Sequence, residues 1–314
     1  MRSYGGQAVG GGGRESKTRI MKSDAISASR WTARILWLMA WLGLLITGVQ
    51  AAENIQIPPG WDIAMGPKST AYDAARHLFP GATWDKEGNL VLTQEKVLRM
   101  PGTRKTRAVL PKGTTLTSPQ SLDVRSEGQQ FRLLLWEGIR PDGDQDGGFG
   151  ESVAVLAVFP QNNIKPADVA EVKQDRNTAL GEPVNLGQED AFTLLNTHHN
   201  SNQGYVITDL FLLREGRFRR IANLFTLSSN CCCGESFEEK PRWRVEPDSA
   251  NPPRITAVVE MTRAPEAFTA DCDPKPKPRR ESFEDVYRWN AVEKRYLRER
   301  GNIDRLDRWN QQHL

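Results

Sequence analysis

The chain reads as a mostly β or α+β protein: an antiparallel sandwich or partly open barrel, with one helix near the start of its mature part and one at its C-terminus. Three observations carry this reading. Short apolar runs recur along the chain, separated by turns that carry Gly, Pro, Asn or Asp. Helical spacing of apolar residues occurs near the two ends of the mature part, and no heptad or internal repeat interrupts the pattern. A propeller would need such a repeat.

The first element precedes the mature chain. Residues 35–49 (ILWLMAWLGLLITGV) are apolar, Arg30 and Arg34 stand just ahead, and Val49-Gln50-Ala51 presents the exit a signal peptidase reads. Fifteen residues at 1.5 Å rise span about 22 Å, short of the roughly 30 Å of a bilayer core. A cleaved secretory signal is therefore favoured over a retained anchor, with the cut between Ala51 and Ala52. No cysteine closely follows the run, which argues against a lipid-modified amino terminus. A start at Met21 would leave an ordinary leader of 31 residues. The plan is a leader over 1–51, a β-rich domain over 52–273, and a closing segment over 274–314 packed on the same domain.

Export changes the charge argument. The leader holds seven of the 42 Lys/Arg and two of the 39 Asp/Glu, leaving 35 basic and 37 acidic side chains, a net of −2. The basic isoelectric point of about 8.7 thus belongs largely to the leader. A nucleic-acid partner would want a coherent basic face, and none is indicated. The mature part is long enough to bury a real core, and it keeps six of the nine tryptophans.

A proline-bearing lead-in (Ile57-Pro58-Pro59-Gly60-Trp61) opens the mature domain. Ser69 or Thr70 can then cap a helix with Ala71, Ala74, Ala75 and Leu78 on one face, and Pro80-Gly81 stops it. Residues 84–92 form a hairpin turning at Gly88-Asn89. The runs at 131–136 (FRLLLW) and 152–159 (SVAVLAVF) are apolar enough for central strands covered on both faces. Further strands fall at 169–172, 191–195, 205–213, 217–225, 243–245 and 255–261, with a tight turn at Glu215-Gly216. Pro274-Lys275-Pro276-Lys277-Pro278 is an extended connector. After it, 286–289 and 294–297 pair around Asn290-Ala291, and a closing helix begins at Asn302 with Ile303, Leu306 and Trp309 on one side.

All four cysteines lie late, at Cys231, Cys232, Cys233 and Cys272. In an oxidising compartment the default is a disulfide from Cys272 to one of the other three. Closing a loop of roughly 40 residues would stabilise the fold by about 3–4 kcal/mol in the chain-entropy picture. The rival is a metal or redox site on the same cluster, although three adjacent cysteines do not match the spacing of zinc knuckles.

Three places could carry chemistry. Asp142, Asp144 and Asp146 followed by Gly147 begin as calcium loops do, but Val153 stands where such a loop needs a bidentate Glu. A polar hairpin tip explains them at least as well. The block Asn196-Thr197-His198-His199-Asn200-Ser201-Asn202-Gln203 is polar between two apolar runs. His198, His199, Asn200 and Gln203 are its ligand-binding candidates, and either histidine could hold zinc with Asp190 or Asp209. Catalysis would use His198 or His199 as the base for Ser201, yet no G-x-S-x-G elbow occurs in the chain. The third place is the set Trp84, Trp136, Trp243, Trp289 and Trp309, which could stack on sugars, although strand patterning assigns Trp136 and Trp289 to the core.

The segments THHNSNQGY, starting at Thr197, and YRWNAVEKRY, starting at Tyr287, resemble exported bacterial proteins, a likeness that implies no residue roles. The leading expectation is an exported, non-enzymatic protein of the periplasm or cell exterior that binds a ligand or envelope partner. It needs no cofactor, calcium or zinc being the alternatives. A secreted hydrolase using the His198/His199 region and a metal or redox protein using the cysteine cluster are the competing functions.

Overall fold

The computed structural model describes residues 56–101, 107–141, 152–199, 203–230, 235–247, 252–265 and 279–312. The leader, the Asp142–Asp144–Asp146 segment, Asn200, Ser201, all four cysteines and the Pro/Lys connector lie outside the described residues, as does the side chain of Gln203.

The described chain is mostly β, with several antiparallel sheets, two helices and no closed barrel among these residues, a sandwich-like arrangement. It begins with β1 (Ala64–Gly66), β2 (Ser69–Thr70), α1 (Ala71–Leu78), β3 (Thr83–Trp84) and β4 (Leu90–Val91). There follow β5 (Lys96–Arg99), β6 (Arg107–Leu110), β7 (Thr115–Leu116), β8 (Gln120–Ser126), β9 (Gln129–Ile139), β10 (Ser152–Pro160) and β11 (Asp168–Glu171). Four long strands come next, β12 (Asn177–Asn185), β13 (Asp190–His199), β14 (Gln203–Arg214) and β15 (Arg217–Asn230). The chain closes with β16 (Glu235–Glu246), β17 (Arg254–Pro265), β18 (Arg279–Asn290), β19 (Arg295–Gly301) and α2 (Ile303–Gln311).

Three sheets form layers. The first runs β3-β4-β7-β9-β10-β11-β5-β6, with β8 also on β9; the middle is β12 to β15 and the third β16 to β19, each in chain order. Chain-order meanders follow from tight turns. At Glu215-Gly216 both residues have positive φ (51° and 67°), the geometry that matches strand twist in two-residue hairpins.

Alternation decides which layer each face meets. On β9 and β10, Leu134, Trp136, Val153, Val155, Ala157 and Phe159 join the core beneath α1, while Leu133, Leu135, Ala154, Leu156 and Val158 face the middle sheet. Residues 153–159 are wholly buried, as the continuous apolar run predicts. The middle sheet is apolar on both faces as well. Phe192, Leu194, Phe211 and Leu213 meet the first sheet, whereas Ala191, Leu210, Leu212 and Leu224 meet the third. Each fully buried side chain of this size contributes about 1.5–3 kcal/mol of transfer free energy.

Both helices are where helical spacing puts them. In α1 the Asp73 carboxylate accepts the Thr70 backbone N–H at 2.8 Å, so an acidic side chain answers an otherwise unpaired donor of the first turn. The apolar side of α2 (Ile303, Leu306, with Trp309 partly buried) packs between the middle and third sheets. Its Asn310 amide donates to the Phe225 carbonyl at 3.1 Å and to Glu239 at 2.8 Å. The proline lead-in supplies more than a connection. Trp61 is fully buried, and its indole N–H donates to the Gly88 carbonyl at 3.0 Å.

The edge of the middle sheet is covered by side chains of the first. The Glu137 carboxylate accepts the Thr178 N–H at 2.5 Å and the Gln120 side-chain Oε1 accepts the Leu180 N–H at 2.9 Å, so β12 does not present a bare ladder to another chain.

Candidate functional site

Two places gather polar side chains against the sheets. The first contains His198. Strand alternation turns His198 toward the first sheet and His199 to the opposite face, so the two histidines do not share a site. The imidazole Nδ1 of His198 lies 2.8 Å from the Asp175 carboxylate, and its ring stacks on Tyr205 with centroids 4.7 Å apart and planes 3° from parallel. Tyr205 lies directly across the ladder from His198.

Asp175 comes from the link between β11 and β12, which crosses the polar end of the middle sheet. Partial burial raises its carboxyl, but hydrogen bonds from Tyr205, His198 and the Arg176 N–H outweigh that and hold it below the ordinary carboxylate range. Burial, with Asp175 adding to it, pushes the Tyr205 phenol up to about 12.

Behind this trio is a structural network. Asp209 is 1% exposed and accepts from Gln174, from Asn223 at 2.8 Å and from Arg220 at 3.4 Å. The wholly buried Asn196 accepts the Gln174 N–H at 3.1 Å and the Thr178 hydroxyl at 2.9 Å. Asp209 is thus engaged with its own neighbours. Asp190 sits at the far end of β13 and receives two hydrogen bonds from the Arg125 guanidinium, at 3.0 and 2.8 Å. Among the described residues no group of three or more His, Cys, Asp or Glu is gathered so as to hold a metal ion. Of the ligand-binding and catalytic candidates whose side chains are described, His198 is brought into a constellation and His199 is not. The partner Asp175, 23 residues upstream of His198, carries no local sequence signal.

The second place is a half-open cavity of about 740 Å³. Hairpin ends of all three sheets build it: Glu127-Gly128 between β8 and β9, residues 185–189 between β12 and β13, Arg214 at the end of β14, and Val245, Pro247, Pro252 and Pro253 around the β16–β17 connection. Loop ends on a rigid sheet scaffold are the usual place for binding groups. Leu186, Val245 and the prolines supply apolar wall.

One charged trio lies in that wall. Arg214 donates to Glu189 at 2.6 Å and approaches Glu127 at 3.6 Å, while its guanidinium lies 5.1 Å from the Trp289 ring centroid. Glu127 in turn accepts the Glu215 N–H at 3.2 Å. The second carboxylate oxygen of Glu189 and the Nε of Arg214 are buried without a hydrogen-bond partner among the described residues. Burial raises the Glu189 carboxyl above its ordinary range; Arg214 pulls it back, and Glu127 and Asp190 add to the rise. Trp289 therefore serves as a platform for Arg214 at the margin of the core, whereas Trp136 is wholly buried, as its strand position predicts.

None of the described lining residues is Ser, Thr, His, Cys, Lys or Tyr; the polar side chains among them are Glu127, Asn185, Gln188, Glu189 and Arg214. These groups can hold a molecule and order its donors and acceptors. Sequence reasoning missed this cavity because its parts are hairpin ends far apart in the chain, each ordinary by itself. Comparison with family models, with curated proteins and with solved structures finds no match to this chain.

Proposed function

We propose that the protein is exported across the bacterial inner membrane and acts there, without catalysis, by binding a ligand in the cavity framed by Glu127, Glu189 and Arg214. The apolar run behind Arg30 and Arg34 supports export. The observation that carries the binding reading is the cavity itself: about 740 Å³, apolar walls, and a charged trio with unfilled hydrogen-bonding capacity. Among the described residues no helix is long and apolar enough to cross a membrane. A thermal-shift screen of small polar molecules tests the reading. Stabilisation by at least one class is expected in the native chain and falls sharply in Glu189→Gln. Equal shifts in both proteins would place binding elsewhere.

The 2.8 Å contact between Asp175 and His198 favours a second reading. A carboxylate on Nδ1 orients an imidazole so that Nε2 can take a proton, the arrangement of a hydrolytic base. Ester, glycoside and phosphate substrates assayed with His198→Ala and Asp175→Asn decide this. Turnover that survives both changes removes the site from consideration.

A further inference from the structure

Glu189 is the most informative group in the cavity. Its side chain is 8% exposed, one oxygen is taken by Arg214, and the other has no partner among the described residues while the residue lines the cavity. Leaving a buried carboxylate oxygen unpaired is costly, so the site favours an occupant whose donor meets that oxygen as the side chain turns toward the cavity. The sign of the surrounding charge narrows the choice. Glu127, Glu189 and Arg214 together carry one net negative charge, and the nearby Asp190 is already answered by Arg125. A carboxylate-bearing occupant would add a second negative charge to a partly desolvated place, whereas a cation would bring the group to neutrality.

The walls narrow it further. Leu186, Val245 and Pro253 offer apolar contact beside the acidic pair, and the volume is large enough for a small organic molecule rather than a bare ion. We infer that the cavity selects an organic ammonium, a primary amine on an apolar stem, whose N–H donors reach Glu189 and Glu127 while the stem packs on Leu186 and the prolines. This rests on the reading of the cavity as the binding site and specifies its ligand class.

Hexylamine, hexanoate and hexanol, matched in stem and differing in head group, are titrated into the isotope-labelled chain while the Gly128 and Gly187 amides are followed by NMR. The amine is expected to move both amides and to bind at least about tenfold more tightly than hexanol, with hexanoate weakest. In Glu189→Gln the amine falls to within about twofold of hexanol. Near-UV circular dichroism checks that this variant is folded, and Glu127→Gln, expected to weaken the amine by a smaller factor, gives a second reading if it is not. Hexanoate binding as tightly as the amine overturns the ammonium assignment and leaves the cavity as the site. Failure of all three compounds to move either amide overturns both.

Discussion

Asp307 lies on α2 with a carboxylate oxygen buried and unpaired among the described residues. Burial, then the charges of Asp304 and Asp285, push its pKa to about 6. Its folded-state pKa is above the ordinary value of 3.8, so the native state holds this proton more tightly than the unfolded chain does. The resulting stabilisation is complete below the ordinary value and is lost as pH rises through about 6. Asp307→Asn keeps the neutral shape. Discounted for partial exposure, it should raise stability by about 1 kcal/mol at pH 7.5 and by nothing measurable at pH 3.5. Urea melts at the two pH values check this, and a gain of equal size at both would contradict the assignment. Asp209 differs in its partners. Burial raises its carboxyl on balance, although Arg220, Asn223 and Gln174 favour the charged form. Asp209→Asn turns an amide toward three donors, and a loss of about 2–4 kcal/mol in the same melts is expected. The two aspartates look alike in the sequence, and only the neighbours brought by folding separate them.

At the scale of single elements, side-chain parity explains most of what the sequence disclosed. Runs such as FRLLLW and SVAVLAVF have no polar face to offer water, so they had to be central strands, and β9 and β10 are. Several strands that sequence reading passed over are charged or polar: KVLR and RAVL in β5 and β6, QSLDVRS in β8, and NTALGEPVN in β12. Their pairing depends on partners distant in the chain, which a local pattern cannot encode. In β12 the register slips between Leu180 and Pro183, a bulge where proline lacks the N–H for a regular ladder. Parity also separates His198 from His199, a division legible in principle from alternation; Asp175 as the partner was not. Gly138 on β9 gives an element-scale prediction. A Cβ there would strike the Thr115 carbonyl oxygen of β7, so Gly138→Ala must part the two strands. An apparent loss of about 2 kcal/mol or more is expected from denaturant titration, against less than 0.5 kcal/mol for an ordinary surface substitution.

For the whole molecule, three sheets in layers bring five widely separated hairpin ends to one edge. Glu127, Glu189, Arg214, Pro253 and Trp289 meet there although they are spread over more than half the chain. Such a place is set by topology, which explains why composition and motif reading could name a fold class but no cavity. The compartment has its own test. Mass spectrometry of the protein from a bacterial periplasm should give an amino terminus at Ala52 and a peptide linking Cys272 to one of Cys231, Cys232 or Cys233. A full-length, fully reduced chain would refute the export assignment.

The central claim is that the cavity edge, rather than the His198 side, receives the ligand. The most direct measurement is an amide chemical-shift map of the labelled chain with the molecules that stabilise it against heat. Shifts centred on Gly128, Gly187 and Glu189 are expected, with Asp175, His198 and Tyr205 unmoved. Shifts centred on Asp175, His198 and Tyr205, with the cavity silent, would contradict the claim.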